Sequence, residues 1–211
     1  MKRQFIILVS FLLFACYSNG QEKESSKFTL GFTPQYTITN GLRVDIDLIT
    51  SAQSADWLVF SPQFYYNQDD NYNHSYEEMS GMGMDFLYRH YLNSKGMPSG
   101  LHFGFGFTFQ YYQVKEYDKI MVEFEENGNT YFKYEDGLVD NDIYKLGPNI
   151  ILGYQFVVHN KLYIDLYGGP GFRKSFDNRD GTVADYYDDW WGEIGYSGIL
   201  LNAGLRVGVI F

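Results

Sequence analysis

Few residues in this sequence have the types and spacing needed for acid–base, nucleophilic or metal chemistry. The four histidines are scattered along the chain, at His74, His90, His102 and His159. Only His74 has a nucleophile beside it, Ser75, and a triad needs base, nucleophile and acid to converge in space rather than in sequence. Cys16 is the only cysteine, and no H-x-x-x-H or C-x-x-C spacing occurs. We therefore predict no catalytic residue, no metal and no cofactor.

Charged residues that interrupt apolar segments at every second position indicate a different role. Between Leu42 and Leu48, for example, charged residues alternate with apolar ones. Nine charged residues share this phase: Arg43, Asp45, Asp47, Asp85, Arg89, Lys145, Asp165, Arg173 and Arg206. Five are basic and four are acidic, and charges removed from water need partners. We predict that they form a salt-bridge network in a shared interior; the alternative interpretation is a selective pore.

The elements that carry these residues read as β-strands. From Phe28 to Ile38 the even positions are apolar or aromatic, apart from Pro34, and the odd positions are small or polar. Asn40-Gly41 follows, a dipeptide that favours a tight hairpin, and the alternation then resumes to Leu48. A two-residue period with one apolar face predicts a strand through Ile38, the hairpin turn, and a second strand.

The same period returns six more times, at 58–66, 82–88, 103–111, 144–156, 162–166 and 199–211. The sequence therefore predicts an all-β chain of eight strands. Four prolines fall inside these strands, where each removes a donor from the hydrogen-bonded ladder: Pro34, Pro62, Pro148 and Pro170. Bulges or local breaks in the ladder would accommodate those near a rim. Pro62, nearer the middle of its strand, has no such explanation.

Strand length and the spacing of the connections favour a membrane barrel over a soluble one. Most of the strands approach the ~9–11 residues that cross a bilayer when tilted, against ~5–6 in an ordinary sheet. Long polar connections (67–80, 115–142, 174–197) alternate with short ones (50–56, 93–100, 158–161). Outer-membrane barrels have short periplasmic turns and long outer loops. We predict an eight-stranded antiparallel transmembrane β-barrel, an up-and-down meander with both termini in the periplasm.

The N-terminus has the pattern of a signal peptide. Lys2 and Arg3 precede an apolar run over 5–16, which is too short to span a bilayer, and the small residues Ser18 and Gly20 follow. We expect cleavage after Gly20, so that 1–20 is the signal peptide and 21–211 the barrel domain. A lipoprotein signal with Cys16 lipidated is the alternative.

The last strand carries a family resemblance. Leu205, Val207 and Val209 alternate with polar or small residues and the strand ends on Phe211, which resembles the assembly signal of bacterial outer-membrane barrels. The whole mature chain resembles the small OmpA/OmpX-type barrels. The resemblance implies a bacterial outer-membrane location, with outer-membrane lipid and the barrel-assembly machinery as partners. Such families include anchors, adhesins, narrow channels and a few lipid-modifying enzymes, so the role stays open.

Acidic residues are concentrated in the long connections, which hold 19 of the 26. The net charge of −10 argues against nucleic acid as a partner. Within 115–142, residues 120–126 and 129–135 flank Asn127-Gly128, a preferred hairpin turn. We predict a ribbon above the membrane that binds an extracellular partner by strand addition. The expected function is that of a structural or surface-interaction protein; a narrow channel and a lipid-modifying enzyme are the alternatives.

Overall fold

Eight antiparallel strands close into a barrel in the computed structural model. It describes residues 28–39, 41–50, 55–68, 78–92, 97–126, 128–159, 161–178 and 195–211, so the predicted signal peptide and Cys16 lie outside the described residues. The strands are β1 Phe28–Phe32, β2 Gly41–Ile49, β3 Asp56–Gln68, β4 Glu78–Tyr91, β5 Gly100–Glu126, β6 Asn129–Val158, β7 Leu162–Asp177 and β8 Gly198–Ile210. Each pairs with its neighbours in sequence, and β8 pairs with β1. The predicted all-β, eight-stranded meander is confirmed.

Most of the large apolar side chains face outwards, and the buried charged and polar side chains face inwards, together with aromatic and aliphatic ones such as Trp57 and Ile151. On β5, Phe105 is 57% exposed, whereas His102 and Thr108, on the opposite phase, are fully buried. The outward faces of the other strands are likewise apolar, and rings contact each other across neighbouring strands, as Phe60 and Phe86 do edge to face at 5.7 Å. A soluble barrel would have the reverse arrangement, with an apolar interior and a polar surface.

The two ends of the barrel differ. β5 and β6 pair without interruption up to Glu126↔Asn129, beyond the last pairs that β4 and β7 make with them. They continue as a two-stranded ribbon, closed by a turn in which Gly128 has a φ of +77°. This confirms the predicted ribbon, although Asn127 lies outside the described residues. We call this end the ribbon end; both Phe28 and Phe211 lie at the opposite, turn end, where their rings stack at 4.6 Å.

β1 and β2 pair as predicted, but the predicted extent of the first strand, through Ile38, is wrong. β1 ends at Phe32, and Pro34–Thr39 form a 3₁₀ helix instead of continuing the strand. Pro34 has no N–H to offer a ladder, and its carbonyl accepts the Thr37 hydroxyl at 2.7 Å within the helix. Tyr36, expected on the outward face, instead has its ring 5.4 Å from the Arg43 guanidinium inside the barrel. Asn40 lies outside the described residues, and Gly41 begins β2.

The other three prolines lie at breaks in the ladder. Pro62 lies where the β2–β3 register is interrupted, and Pro148 and Pro170 lie at interruptions between β6 and β7. The register is the same on both sides of each interruption, so none is a bulge. Each proline still pairs with the strand on its other side. The break on one side explains Pro62, which the sequence left unexplained.

Candidate functional site in the barrel interior

All nine charged residues predicted for the interior are at least nine-tenths buried. Alternation along each strand brings them there, because residues two apart share a face of the sheet. Seven of them are joined by ion pairs: Arg43, Asp45, Asp47, Asp85, Arg89, Asp165 and Arg206. We call these seven the ion network. Lys145 and Arg173 are close to it in space but do not belong to it.

Arg206 on β8 lies at the centre of the ion network. Its Nε lies 3.2 Å from Asp45 Oδ2, and its Nη1 lies 3.4 Å from Asp165 Oδ2 and 3.8 Å from Asp47 Oδ2. Arg89 on β4 shares two of these acids, with Nη1 3.0 Å from Asp47 Oδ2 and 3.7 Å from Asp165 Oδ2. The contacts tie β2, β4, β7 and β8 together across the interior.

Arg43 extends the ion network towards the ribbon end. Its Nε lies 3.0 Å from Asp45 Oδ1 and its Nη1 lies 2.5 Å from Asp85 Oδ2. Asp45 also accepts hydrogen bonds from the hydroxyls of Ser61, at 2.5 Å, and Thr33, at 2.6 Å. Both oxygens of this buried carboxylate are therefore satisfied, as a buried charge requires.

His102 and a group of aromatic side chains complete the interior at the turn end. His102 Nε2 lies 2.8 Å from Asp165 Oδ1, and its ring packs 5.2 Å from that of Tyr91. Tyr91 donates to Gln155 Oε1 at 2.8 Å and packs against the buried Trp57. These aromatics were not predicted to lie inside, because their residue types are also common on the outer surface. Their position on the same alternating phase as the polar residues is the signal that identifies them.

Lys145 and Arg173 lie on the ribbon-end side of the ion network and make different contacts. Arg173 donates to Thr108 Oγ1 at 3.0 Å and to the Phe172 carbonyl at 3.1 Å. Lys145 Nζ lies 5.9 Å from the centre of the Tyr112 ring. Among the described residues, neither cation has a carboxylate oxygen within 4.0 Å.

The predicted assembly residues follow the outward face of β8. Leu205 and Phe211 are exposed and Val207 is partly exposed, whereas Val209 is buried and paired with Leu30 and Leu162. The Phe211 N–H donates to the Phe28 carbonyl at 3.0 Å, so the last residue closes the barrel.

Two features are absent from the described part of the chain. No group of three or more His, Cys, Asp or Glu side chains is arranged to hold a metal ion there. Over the same residues, no helix is long and apolar enough to cross a membrane.

Solved structures similar to this chain include two from Acinetobacter baumannii. No family model matches the chain, and no curated protein matches it. The crystal structure of Acinetobacter baumannii CarO is 12% identical, with a TM-score of 0.38, over 92% of this chain and 99% of that one. The crystal structure of Acinetobacter baumannii CarO2 is 11% identical, with a TM-score of 0.36, over 88% of this chain and 97% of that one. TM-scores below 0.5 do not establish a shared fold. The evidence for the fold of this chain is its own strand register and burial.

Proposed function

We propose that this protein is a small outer-membrane β-barrel of the OmpA/OmpX-like kind that acts as a structural or surface-interaction protein. The observation that carries the proposal is the reversed polarity of the barrel. Side chains such as Phe105, Leu152 and Leu166 are more than half exposed on the outer surface, while the nine charged residues of the inward phase are buried in the interior. Exposed apolar area of this extent is stable against lipid and not against water.

The ends of the barrel support an orientation. Outer-membrane barrels have their long loops outside the cell and short turns in the periplasm. The ribbon lies at one end, where β3 ends and β4 begins, and both Phe28 and Phe211 lie at the other. We therefore place the ribbon end outside and both termini in the periplasm.

The interior favours a structural role over conduction. An eight-stranded barrel has an interior just wide enough for side chains to fill. Arg89, Arg206 and Asp165 have no exposed surface and join strands from opposite sides of the wall. A solute crossing this level would have to displace paired buried charges, which is costly.

The ribbon offers the surface for a partner. Phe132 and Tyr134 on β6 and Met121 on β5 are more than 60% exposed. Beyond its base, each ribbon strand has only the other as a paired neighbour among the described strands, so its outer edge is a strand edge to which a further strand could be added. At the base of the ribbon, the Glu78 carboxylate lies 3.2 Å from the Lys115 ammonium group. This contact raises the pKa of Lys115. A partner that adds a strand would bind this edge and cover the aromatics.

Labelling of intact cells tests membrane, compartment and orientation together. In a Cys16→Ser background, Thr130→Cys in the ribbon should react with a membrane-impermeant maleimide on intact cells. Lys161→Cys at the turn end should react only after the outer membrane is opened. The reverse order would overturn the orientation, and recovery of the folded protein in the soluble fraction would overturn the membrane assignment.

A further inference from the structure

The wall of the barrel is incomplete on one side near the ribbon end. β7 pairs with β8 from Leu162↔Val209 to Arg173↔Gly198, where β8 begins. β1 pairs with β8 only from Thr29↔Ile210 to Phe32↔Val207. Among the described strands, residues 198–206 of β8 therefore have a neighbour on one side only.

Leu205 shows which backbone groups face the gap. Its N–H donates to Gln35 Oε1 of the 3₁₀ helix, at 3.3 Å. Backbone groups alternate between the two sides of a strand, so those of Leu201 and Ala203 point to the same side. No described strand pairs with them there. Unpaired backbone facing lipid is costly, so this edge favours an occupant.

A cavity of about 190 Å³ lies behind the edge. Its inner lining includes Tyr36, Arg173 and Asn149, which belong to the interior. Its outer lining includes Leu201 and Ala203, whose side chains lie on the outward face; Leu201 is 78% exposed. Because inward and outward residues line the same cavity, it reaches through the wall from the interior to the outer surface.

The polar lining is suited to an anionic group. Arg173 has no carboxylate within 4.0 Å among the described residues, and Lys145, buried nearby, has none there either. The one acid of the lining, Asp85, is neutralised by Arg43 at 2.5 Å. Asn149 donates to Thr108 Oγ1 and is nine-tenths buried, but its Oδ1 has no hydrogen-bond partner in the described part of the chain. This oxygen can accept from a water that bridges to the ligand, whereas the anionic group itself is held by the cation Arg173.

We propose that this cavity is a lateral binding site for an anionic single-chain amphiphile. The carboxylate lies against Arg173, and the hydrocarbon chain leaves through the gap past Leu201 and Ala203 into the surrounding lipid. The inference rests on the proposed membrane location. The cavity volume is about six times the ~30 Å³ that one water molecule occupies in the liquid, which is enough for a carboxylate and a few methylenes. A longer chain has to continue outside, along the exposed β8 side chains.

Binding is tested with the mature protein in nanodiscs of zwitterionic lipid. The probe is decanoate labelled with ¹³C at the carboxyl carbon, whose NMR signal in the site should differ from that in the lipid. We expect saturation at one decanoate per barrel. Arg173→Gln should weaken binding at least tenfold, because a charge-assisted hydrogen bond is lost. Lys174→Gln removes the neighbouring, outward-facing cation and should leave binding unchanged.

A second pair of variants tests the route of the chain. Ala203→Trp narrows the gap and should weaken decanoate binding severalfold; Leu152→Trp, on the outward face of β6, should not. Labelled acetate should bind at least tenfold more weakly than decanoate. Equal affinity for acetate and decanoate would replace the amphiphile by a small soluble anion, and non-saturable uptake would overturn the site. A barrel that fails to enter nanodiscs would instead overturn the membrane proposal, and it is detected before any ligand is added.

Discussion

Replacing Arg206 tests whether the ion network stabilises the barrel. Arg206 is fully buried and lies within 4.0 Å of three carboxylates. Removing one partner from a buried ion pair costs about 3–5 kcal/mol, because the remaining charge is left uncompensated. In Arg206→Met, Asp45 keeps Arg43 at 3.0 Å and Asp47 keeps Arg89 at 3.0 Å. We therefore expect a loss near the lower end, about 3 kcal/mol in the free energy of unfolding.

The assay is reversible urea unfolding of the barrel in lipid or detergent, followed by tryptophan fluorescence. With an m-value of about 2 kcal/mol/M, a loss of about 3 kcal/mol lowers the urea midpoint by about 1.5 M. Lys174→Met is the matched control, since it removes an outward-facing cation from β7 and should move the midpoint little. Asp165→Leu removes one of the carboxylates that Arg206 contacts. In the double variant Arg206→Met/Asp165→Leu, the loss of unfolding free energy should therefore be smaller than the sum of the losses in the two single variants. A loss below about 1 kcal/mol in Arg206→Met would refute the idea that paired interior charges stabilise this fold.

Three further predictions follow from the outer surface, the last residue and the ribbon. Val44→Arg, on the outward face, should cost about 2–4 kcal/mol in unfolding free energy if it lies near the bilayer midplane, whereas Thr33→Ser in the interior should cost much less; the reverse order would mean an apolar interior. Deleting Phe211 should reduce membrane insertion, measured by fractionation, more than deleting Thr182 does, because Phe211 hydrogen-bonds to Phe28 and stacks on its ring. Equal insertion of the two variants would argue against the assembly role. Replacing 119–135 by a short Gly-Ser turn should leave heat-resistant folding intact and abolish surface binding; binding that survives would make the ribbon dispensable.

The strand count and the face of the residues within the observed strands were predictable because alternation is a local property. A residue such as Asp165 lies between apolar neighbours, so its phase alone places it inside once the apolar side is assigned to lipid. The ribbon was predictable for the same reason, with Asn127-Gly128 giving the position of its turn. Interior aromatics such as Trp57 and Tyr91 also follow the phase, so attention to position rather than to residue type would have identified them.

The 3₁₀ helix and the contacts of Arg173 were not predictable in this way. Residues 34–38 continue the alternation of β1, and only Pro34 gives a signal that the strand ends. Which cation meets which acid depends on the stagger between strands and on distances across the barrel, and neither is encoded locally. Arg173 and Arg206 share a phase and a residue type, yet only Arg206 reaches the aspartates.

The length of the ribbon gives the molecule a lever arm. Glu126↔Asn129 lies eleven residue steps beyond Lys115↔Asp140, the last level at which β4 flanks the pair. At about 3.4 Å per residue this is a reach of roughly 37 Å, comparable with the ~30 Å hydrocarbon core of a bilayer. A force applied at the tip is therefore transmitted over a long arm to the base, where β4 and β7 clamp the two strands. Any partner bound at Gly128 would be held well clear of the lipid head groups, and its pull would load these flanking pairs first.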